Sequence, residues 1–281
     1  QYVDPVRYDK EVALLFRRYP MVVGLSAQLR QPGDFVTHNE TGQPILVARG
    51  TDGVLRAFLN VCRHRSATVE SKACGAGKRA FVCPYHGWSY DLSGRLLGIT
   101  DGAAFGSIDR QAYGLRRLAI AEKYGLIWVV PTALEAGDDA ALDIDAYLGP
   151  VVSGDLASWD MTGWEVYGAV PIRSRLNWKL MVDTFGETYH FRHAHSDSIS
   201  SVFLGNIATF DRLGRHMRAV AAKSSLPEVE KLPPDSWRVL DHAVVAYRLF
   251  PNTVLIYDKN HCSVFGTFPI SAEESVLQTS L

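Results

Sequence analysis

The chain has 281 residues, of which 47% are hydrophobic and 11% aromatic, a composition that supports a sizeable core and leaves room for two domains. Its 29 basic and 30 acidic residues give a net charge of −1, so there is no electrostatic case for binding nucleic acid or an anionic membrane. No apolar run reaches the roughly 18 residues needed to cross a bilayer, and the opening QYVDPVRYDKE does not read as a signal peptide. Four cysteines indicate a reducing, cytoplasmic setting and not a disulfide scaffold, with Cys74 and Cys262 read as plain thiols. The absence of an initiating methionine and the strand-like ending SVLQTSL read as a fragment at both ends.

In chain order, residues 11–30 predict a short helix and a strand, and residues 1–33 an N-terminal segment packing on the second domain. From Asp34 to Pro131 short alternating runs are separated by turn residues. Examples are PILVARGTDGVLRAFLNVC, with a turn at Asp52-Gly53, and YGLIWVVP at 124–131. They predict a small antiparallel β-sandwich domain over 34–145. Thr132–Asp145, rich in Ala, Gly and Asp, predicts a linker or acidic surface loop. The strand-like TGWEVYGAVPI follows, then a helix from about Asn177 to Tyr189, then strands in HAVVAYRLF and NTVLIYD. The fold class is therefore α+β, with a second domain over 146–281.

Two short pieces carry metal chemistry. Cys62-Arg63-His64 and Cys83-Pro84-Tyr85-His86 each offer one thiolate and one imidazole. Two chemistries want that set: a tetrahedral zinc site, and a two-iron cluster with two cysteines on one iron and two histidines on the other. Zinc fingers usually pair cysteines and then histidines. Here Cys and His alternate, so each loop can give one ligand to each iron. Trp88 and Tyr90 are expected to pack as a lid over the cluster, with Gly87 and Gly94 at turn positions.

The segment NWKLMVDTFGETYHFRHAH (177–195) holds Asp183, Glu187, His190, His193 and His195. On a regular helix Glu187, His190 and His193 share a face. His195, five residues after His190, joins them only if the helix ends or bulges first. Histidines near a helix C-terminus can also serve the dipole and bind nothing.

VCRHRSA followed by CPYHGWSYDLSGRL resembles the cluster signature of Rieske proteins. Arg65, Ser66, Gly87 and Trp88 stand where respiratory-type domains carry an extra cysteine pair, which is similar to the lower-potential branch that feeds oxygenases. Downstream, Asp183-x₃-Glu187-x₂-His190-x₄-His195 resembles the iron motif of Rieske non-haem iron oxygenase α subunits, also called aromatic-ring-hydroxylating oxygenases. The resemblance covers nearly the whole chain. It implies a [2Fe–2S] cluster on Cys62, His64, Cys83 and His86, and a mononuclear Fe(II) on His190 and His195, with His193 beside them. It also implies a helix-grip-like catalytic domain, truncated at its C-terminus. Glu187 matches the family's bridging position, more often Asp, which links the cluster of one subunit to the iron of its neighbour. Glu at that position occurs in members oxidising quaternary ammonium substrates.

The third iron ligand, a carboxylate, is expected beyond Leu281. Asp241 and Asp258 fall too early; Asp197 and Asp211 read as cap or loop residues, and Glu273 and Glu274 as a turn. Implied partners are a ferredoxin or flavin reductase drawing on NAD(P)H, O₂ and a small organic substrate, expected to be aromatic. The implied assembly is a homotrimer, with β subunits as an option. The outcome would be hydroxylation, cis-dihydroxylation or oxidative demethylation. Phe185, Phe191, Phe203, Leu204 and Phe210 are candidate pocket liners. A stand-alone electron carrier is the competing function.

Overall fold

The computed structural model describes residues 2–135, 138 and 141–281, which form two compact units. The first is built from Asp9–Ile144 with Asp160–Val166. The second is built from the segment ending at Tyr8 with Asp145–Trp159 and Tyr167–Leu281. The segment predicted as 1–33 is thus divided near Tyr8, because its strand belongs to the first unit's sheet. Helix α1 (Pro5–Glu11) runs on into a wider turn over Val12–Phe16, and β1 (Met21–Leu25) then takes an edge of that sheet.

The strands of the first unit are short and end at turns. They are β2 (Phe35–His38), β3 (Ile45–Arg49), β4 (Leu55–Leu59), β5 (Cys74–Gly75), β6 (Ala80–Val82), β7 (Ser89–Asp91), β8 (Leu96–Gly98), β9 (Arg117–Lys123) and β10 (Leu126–Ala133). The main sheet runs β1-β10-β9-β4-β3-β2-β5, and β6-β7-β8 form a separate small sheet. The two-residue side-chain period divides β3 between two apolar layers: Ile45 and Val47 pack on one face, Leu46 and Ala48 on the other. The second layer continues through Phe58 and Phe81 to Cys62, Cys83, Trp88 and Tyr90, so the core itself carries the two ligand loops. Of the predicted linker, Thr132 and Ala133 lie in β10 and Ile144 opens α2 (Ile144–Leu148). Residues 136, 137, 139 and 140 of that segment lie outside the described residues.

In the second unit, α3 (Pro150–Ser158) precedes β11 (Ala169–Ser174), α4 (Trp178–Thr184) and α5 (Phe191–Ala194). Six strands follow as a meander: β12 (Phe203–Leu213), β13 (His216–Lys223), β14 (Ala243–Leu249), β15 (Thr253–Asp258), β16 (His261–Pro269) and β17 (Ser275–Ser280). The sheet is antiparallel throughout and runs β11-β17-β16-β15-β14-β13-β12. Asn177 caps α4 by accepting from the Lys179 N–H (3.0 Å), and its amide donates to the Tyr2 and Ala272 carbonyls. One face of the sheet carries α4, with the Phe185 and Phe265 rings 4.8 Å apart. On the other face Arg218 is held by Asp155 and Asp211, both at 2.8 Å. Asp211 is therefore an ion-paired strand residue and not the cap or loop residue predicted.

His216 is buried within this unit. Its Nε2 lies 3.0 Å from the Tyr147 carbonyl, and its Nδ1 accepts from the Phe250 N–H at 3.1 Å. Burial lowers its pKa, the Tyr147 contact opposes that, and Arg215 lowers it further. A folded pKa below the unfolded value means the unfolded chain binds the extra proton first. The stabilisation is complete above about pH 6.5 and is lost as the pH falls below it. We expect the melting temperature to drop between pH 7 and 5 by about 2–4 °C per kcal/mol lost. His216→Gln, which keeps a donor and an acceptor, should flatten that slope; equal slopes would show that another group controls it.

Candidate metal centres

The first ligand loop follows β4 and the second follows β6, and they close in the same way. The Cys62 carbonyl accepts from the Ser66 N–H and the Cys83 carbonyl from the Gly87 N–H, both at 3.0 Å. The Cys62 N–H donates to the Ala67 carbonyl and the Cys83 N–H to the Trp88 carbonyl, both at 2.8 Å. The fourth residue after each cysteine is left-handed: Ser66 at φ 56° and Gly87 at φ 71°. A Cβ at Gly87 would also stand 2.4 Å from the Thr100 hydroxyl, so glycine fits there on two counts.

Two like loops present their side chains in like pairs. Cys62 and Cys83 are buried (3% and 2% exposed) free thiols in one core cluster, and neighbouring Cys62 helps to raise the Cys83 pKa. The His64 and His86 rings pair with centroids 4.6 Å apart. Among the described residues no group of three or more His, Cys, Asp or Glu side chains is placed to hold a single ion. A thiol pair beside an imidazole pair suits two irons with two ligands each better than one tetrahedral zinc. The buried His64 Nδ1 has no hydrogen-bond partner, which a metal bond would satisfy. Burial, then the neighbouring His86 and Arg65, push the His64 pKa down and favour the neutral imidazole that ligation needs. Burial pushes the Cys83 thiol up, against backbone N–H donors from Tyr85 and His86 that would favour a thiolate.

Trp88 and Tyr90 contact the candidate ligand loops directly. The Trp88 ring stacks on His64 (5.0 Å, 6° between planes) and fixes its orientation. The Tyr90 hydroxyl accepts from the Arg63 N–H at 3.0 Å and lies 3.3 Å from the Cys62 sulfur. With an acceptor site filled by the amide, the phenolic proton is free to donate to sulfur. On a cluster held at Cys62, such a bond would favour the reduced, more negative state. Tyr90→Phe should therefore keep the cluster spectrum and lower its reduction potential by about 20–60 mV, one hydrogen bond's worth for a single electron. An unchanged potential in protein-film voltammetry would remove Tyr90 from that role.

The second histidine pair depends on a break in the chain. The predicted helix to Tyr189 stops at Thr184, where the Thr184 hydroxyl bonds back to the Leu180 carbonyl and the Gly186 N–H turns to the Asp183 carbonyl. A Cβ on Gly186 would lie 2.7 Å from the Arg248 guanidinium. After the break, α5 has His190 at its N-cap and His195 at its C-cap, and the two rings come to 5.3 Å between centroids. His193 is left exposed, outside the ring contacts of this pair. The Glu187 carboxylate takes the ring Nδ1 and the backbone N–H of His190: Oε1 is 2.5 Å from Nδ1, and Oε2 accepts from the backbone N–H at 3.1 Å. Partial desolvation pushes the Glu187 carboxyl up, but the His190 hydrogen bonds outweigh it and the net shift is downward. A carboxylate on Nδ1 leaves Nε2 as the metal-facing atom, the usual support for a ligating histidine.

Among the described residues no carboxylate joins this pair as a third ligand. Asp258 and Asp241 are held by Lys223 (2.6 Å) and Lys259 (2.7 Å), and Glu274 pairs with Arg173. Of the predicted pocket residues, Phe191 and Phe203 pack on each other at 5.1 Å, while Phe185 and Phe210 line a hollow beside Gly186. Sequence reasoning did not single out Arg248, whose side chain reaches this turn from β14.

Residues 19–108 match the Rieske [2Fe-2S] domain, and residues 161–281 match the catalytic domain of the ring hydroxylating alpha subunit. The chain belongs to the Rieske non-haem iron oxygenase α subunits. It is the large subunit of a mono- or dioxygenase with a [2Fe–2S] cluster and a mononuclear iron, of a kind that takes electrons from a reductase or ferredoxin. The glycine betaine monooxygenase oxygenase subunit of Pseudomonas aeruginosa (strain UCBPP-PA14) is 29% identical over 323 residues, covering 99% of this chain and 71% of its own. The chlorobenzene dioxygenase subunit alpha of Cupriavidus sp. (strain PS12) is 34% identical over 149 residues, 53% of this chain and 32% of its own. In fold the chain is similar to a quaternary ammonium Rieske monooxygenase described for carnitine oxidation and inter-subunit electron transfer. That match has a TM-score of 0.84 at 23% identity and covers 99% of this chain and 73% of that one.

Proposed function

We propose that this subunit oxidises an N-methyl group of a small quaternary ammonium compound. Cys62, His64, Cys83 and His86 hold the cluster, and His190 and His195 hold the mononuclear iron. The observation that carries the site assignment is the pairing: buried thiol with thiol, imidazole with imidazole, and a second imidazole pair braced by a carboxylate. Two findings support the substrate class. Glu stands at position 187, and similarity to the betaine-oxidising relative runs through both matched domains, whereas 149 residues are too few to take in both.

When bound, the cluster supplies single electrons and the mononuclear iron supplies an open face for O₂. The chain does the rest. Cys62 and Cys83 sit in the apolar core, where water is excluded. Trp88 and Tyr90 fix the orientation and charge around their ligands. Glu187 sets the tautomer of His190 and, with its carboxylate about half exposed, can hold or pass a proton at the subunit boundary. The working unit in this reading is a homotrimer, served by a ferredoxin or flavin reductase in the reducing cytoplasm, with or without β subunits. The test is the full-length protein with a reductase, offered trimethylammonium and aromatic substrates under O₂. Formaldehyde released in step with NAD(P)H consumption is the expected result; cis-diol formation from the aromatic set with no formaldehyde would overturn the substrate class.

A further inference from the structure

Directly opposed residues of antiparallel strands share a face, and four of them form one row across the second sheet. The row runs through Met217 of β13, Arg248 of β14, Val254 of β15 and Phe265 of β16. The end of α4 rests on two places in it. The Phe185 ring, at the C-cap, packs on Phe265 with centroids 4.8 Å apart. Gly186, the next residue, lies on the Arg248 guanidinium. A Cβ there would stand 2.7 Å from Nη1, 3.0 Å from the Asp183 carbonyl oxygen and 3.2 Å from Cζ. Gly186 is not among the residues with a left-handed φ, so what excludes alanine is this contact and not the backbone. The same guanidinium faces the Asp183 carboxylate at 3.8 Å, and its Nη2 lies 2.7 Å from the Met217 sulfur. It therefore spans the turn that the Gly186 N–H closes on the Asp183 carbonyl at 2.8 Å.

Arg248 is itself fixed from both flanks. Its backbone is laddered between β13 and β15, and 23% of its side chain is exposed, so a planar cation stands as a rigid stop under a short turn. Glu187 follows that turn, and its carboxylate holds the ring Nδ1 and the backbone N–H of His190. We propose that Arg248 is a positioning residue for the mononuclear iron. Its guanidinium sets the height and direction of the Asp183–Gly186 turn, and through it the stance of Glu187 and His190. This rests on the assignment of His190 and His195 as iron ligands and adds a residue from a distant strand to their support. Arg248 meets no substrate in this role. Residues that share one contact should not act independently, so changes at 186 and 248 should be strongly coupled.

The test is a double-mutant cycle on the full-length protein with its cluster loaded: wild type, Gly186→Ala, Arg248→Ala and the double variant. Ferrous ion titrated without oxygen gives the dissociation constant of the mononuclear site. Paramagnetic resonance with nitric oxide at saturating iron reports the geometry around it, and cluster absorbance with the melting temperature checks the fold. Each single variant is expected to weaken ferrous binding by about 10- to 100-fold, the range for a ligand histidine that loses its support. Each should also alter the nitric oxide signal, which a general loss of stability would leave alone once the site is saturated. With Arg248→Ala in place, adding Gly186→Ala should cost much less than it does in wild type, because the guanidinium its methyl would meet is gone. Losses that simply multiply, or single variants with wild-type affinity and signal, would overturn the role of Arg248 and leave the iron ligands in place. Arg248→Lys covers an alanine variant that fails to fold: its flexible stem can retreat, so Gly186→Ala should again cost less in that background. An equal cost there would overturn the proposal too. Wild-type protein that takes up no ferrous ion beyond its cluster would overturn the ligand assignment itself.

Discussion

Replacing His64 with alanine in the full-length protein is expected to remove the cluster's absorbance and its resonance signal. Turnover should be lost with it, while the second unit stays folded. The reason is placement. His64 stacks on Trp88, pairs with His86, and its buried Nδ1 has no protein partner, so nothing else in the loop can take over that bond. The β12–β17 meander shares no sheet with the cluster loops and should keep its own hydrogen-bonded ladder. Mixing this variant with a His190→Ala variant should restore part of the activity, because some interfaces in mixed oligomers then join an intact cluster to an intact iron site. A His64→Ala protein that keeps the reddish chromophore would refute the ligand assignment. No rescue from verified mixed oligomers would refute transfer between subunits.

Glu187→Gln is the second change with a large expected effect. Glutamine keeps the length and one acceptor, but it loses the charge that holds the ring Nδ1 and backbone N–H of His190. Loss of a carboxylate that orients a ligand histidine costs roughly 10- to 100-fold in metal affinity or activity. In the proposed proton-passing role, the lost acceptor adds to that. We expect the cluster to remain reducible, iron retention to weaken, and product formation to fall by 100-fold or more, about the upper end of that range. Glu187→Asp should recover a large part, since it restores the anion and gives up one methylene. Near-normal coupled turnover in the glutamine variant would exclude Glu187 from both roles.

Much of the first unit was legible in the sequence because its determinants are local. The alternation in β3 and β4 and the glycine turn between them are read within a few residues, and the Cys/His order separates paired loops from a zinc tetrad. The second site was legible only as two alternatives. Helical periodicity grouped Glu187, His190 and His193, and the motif resemblance grouped His190 and His195. What brings the latter pair together is the stop at Thr184, and its cause is partly remote: Gly186 lies under Arg248, 62 residues along the chain. Strand β12 escaped notice because Asn206 takes a left-handed φ of 56° inside it and the pairing register slips between Phe203 and Ala208. The row of side chains under the end of α4 is set by cross-strand register, which no local pattern encodes. Tyr90 was foreseen as cover; its hydroxyl's approach to the Cys62 sulfur came from the structure alone.

The most direct test of the account is the metal and sulfide content of the full-length protein, purified without oxygen and measured with its paramagnetic resonance before and after reduction. Two irons and two sulfides for the cluster plus one further iron per chain are expected. The cluster signal should appear on reduction, and a separate ferrous site should become visible with nitric oxide. Zinc in place of the cluster, or two irons with no mononuclear ferrous signal, would contradict it and leave a structural metal domain or an electron carrier instead.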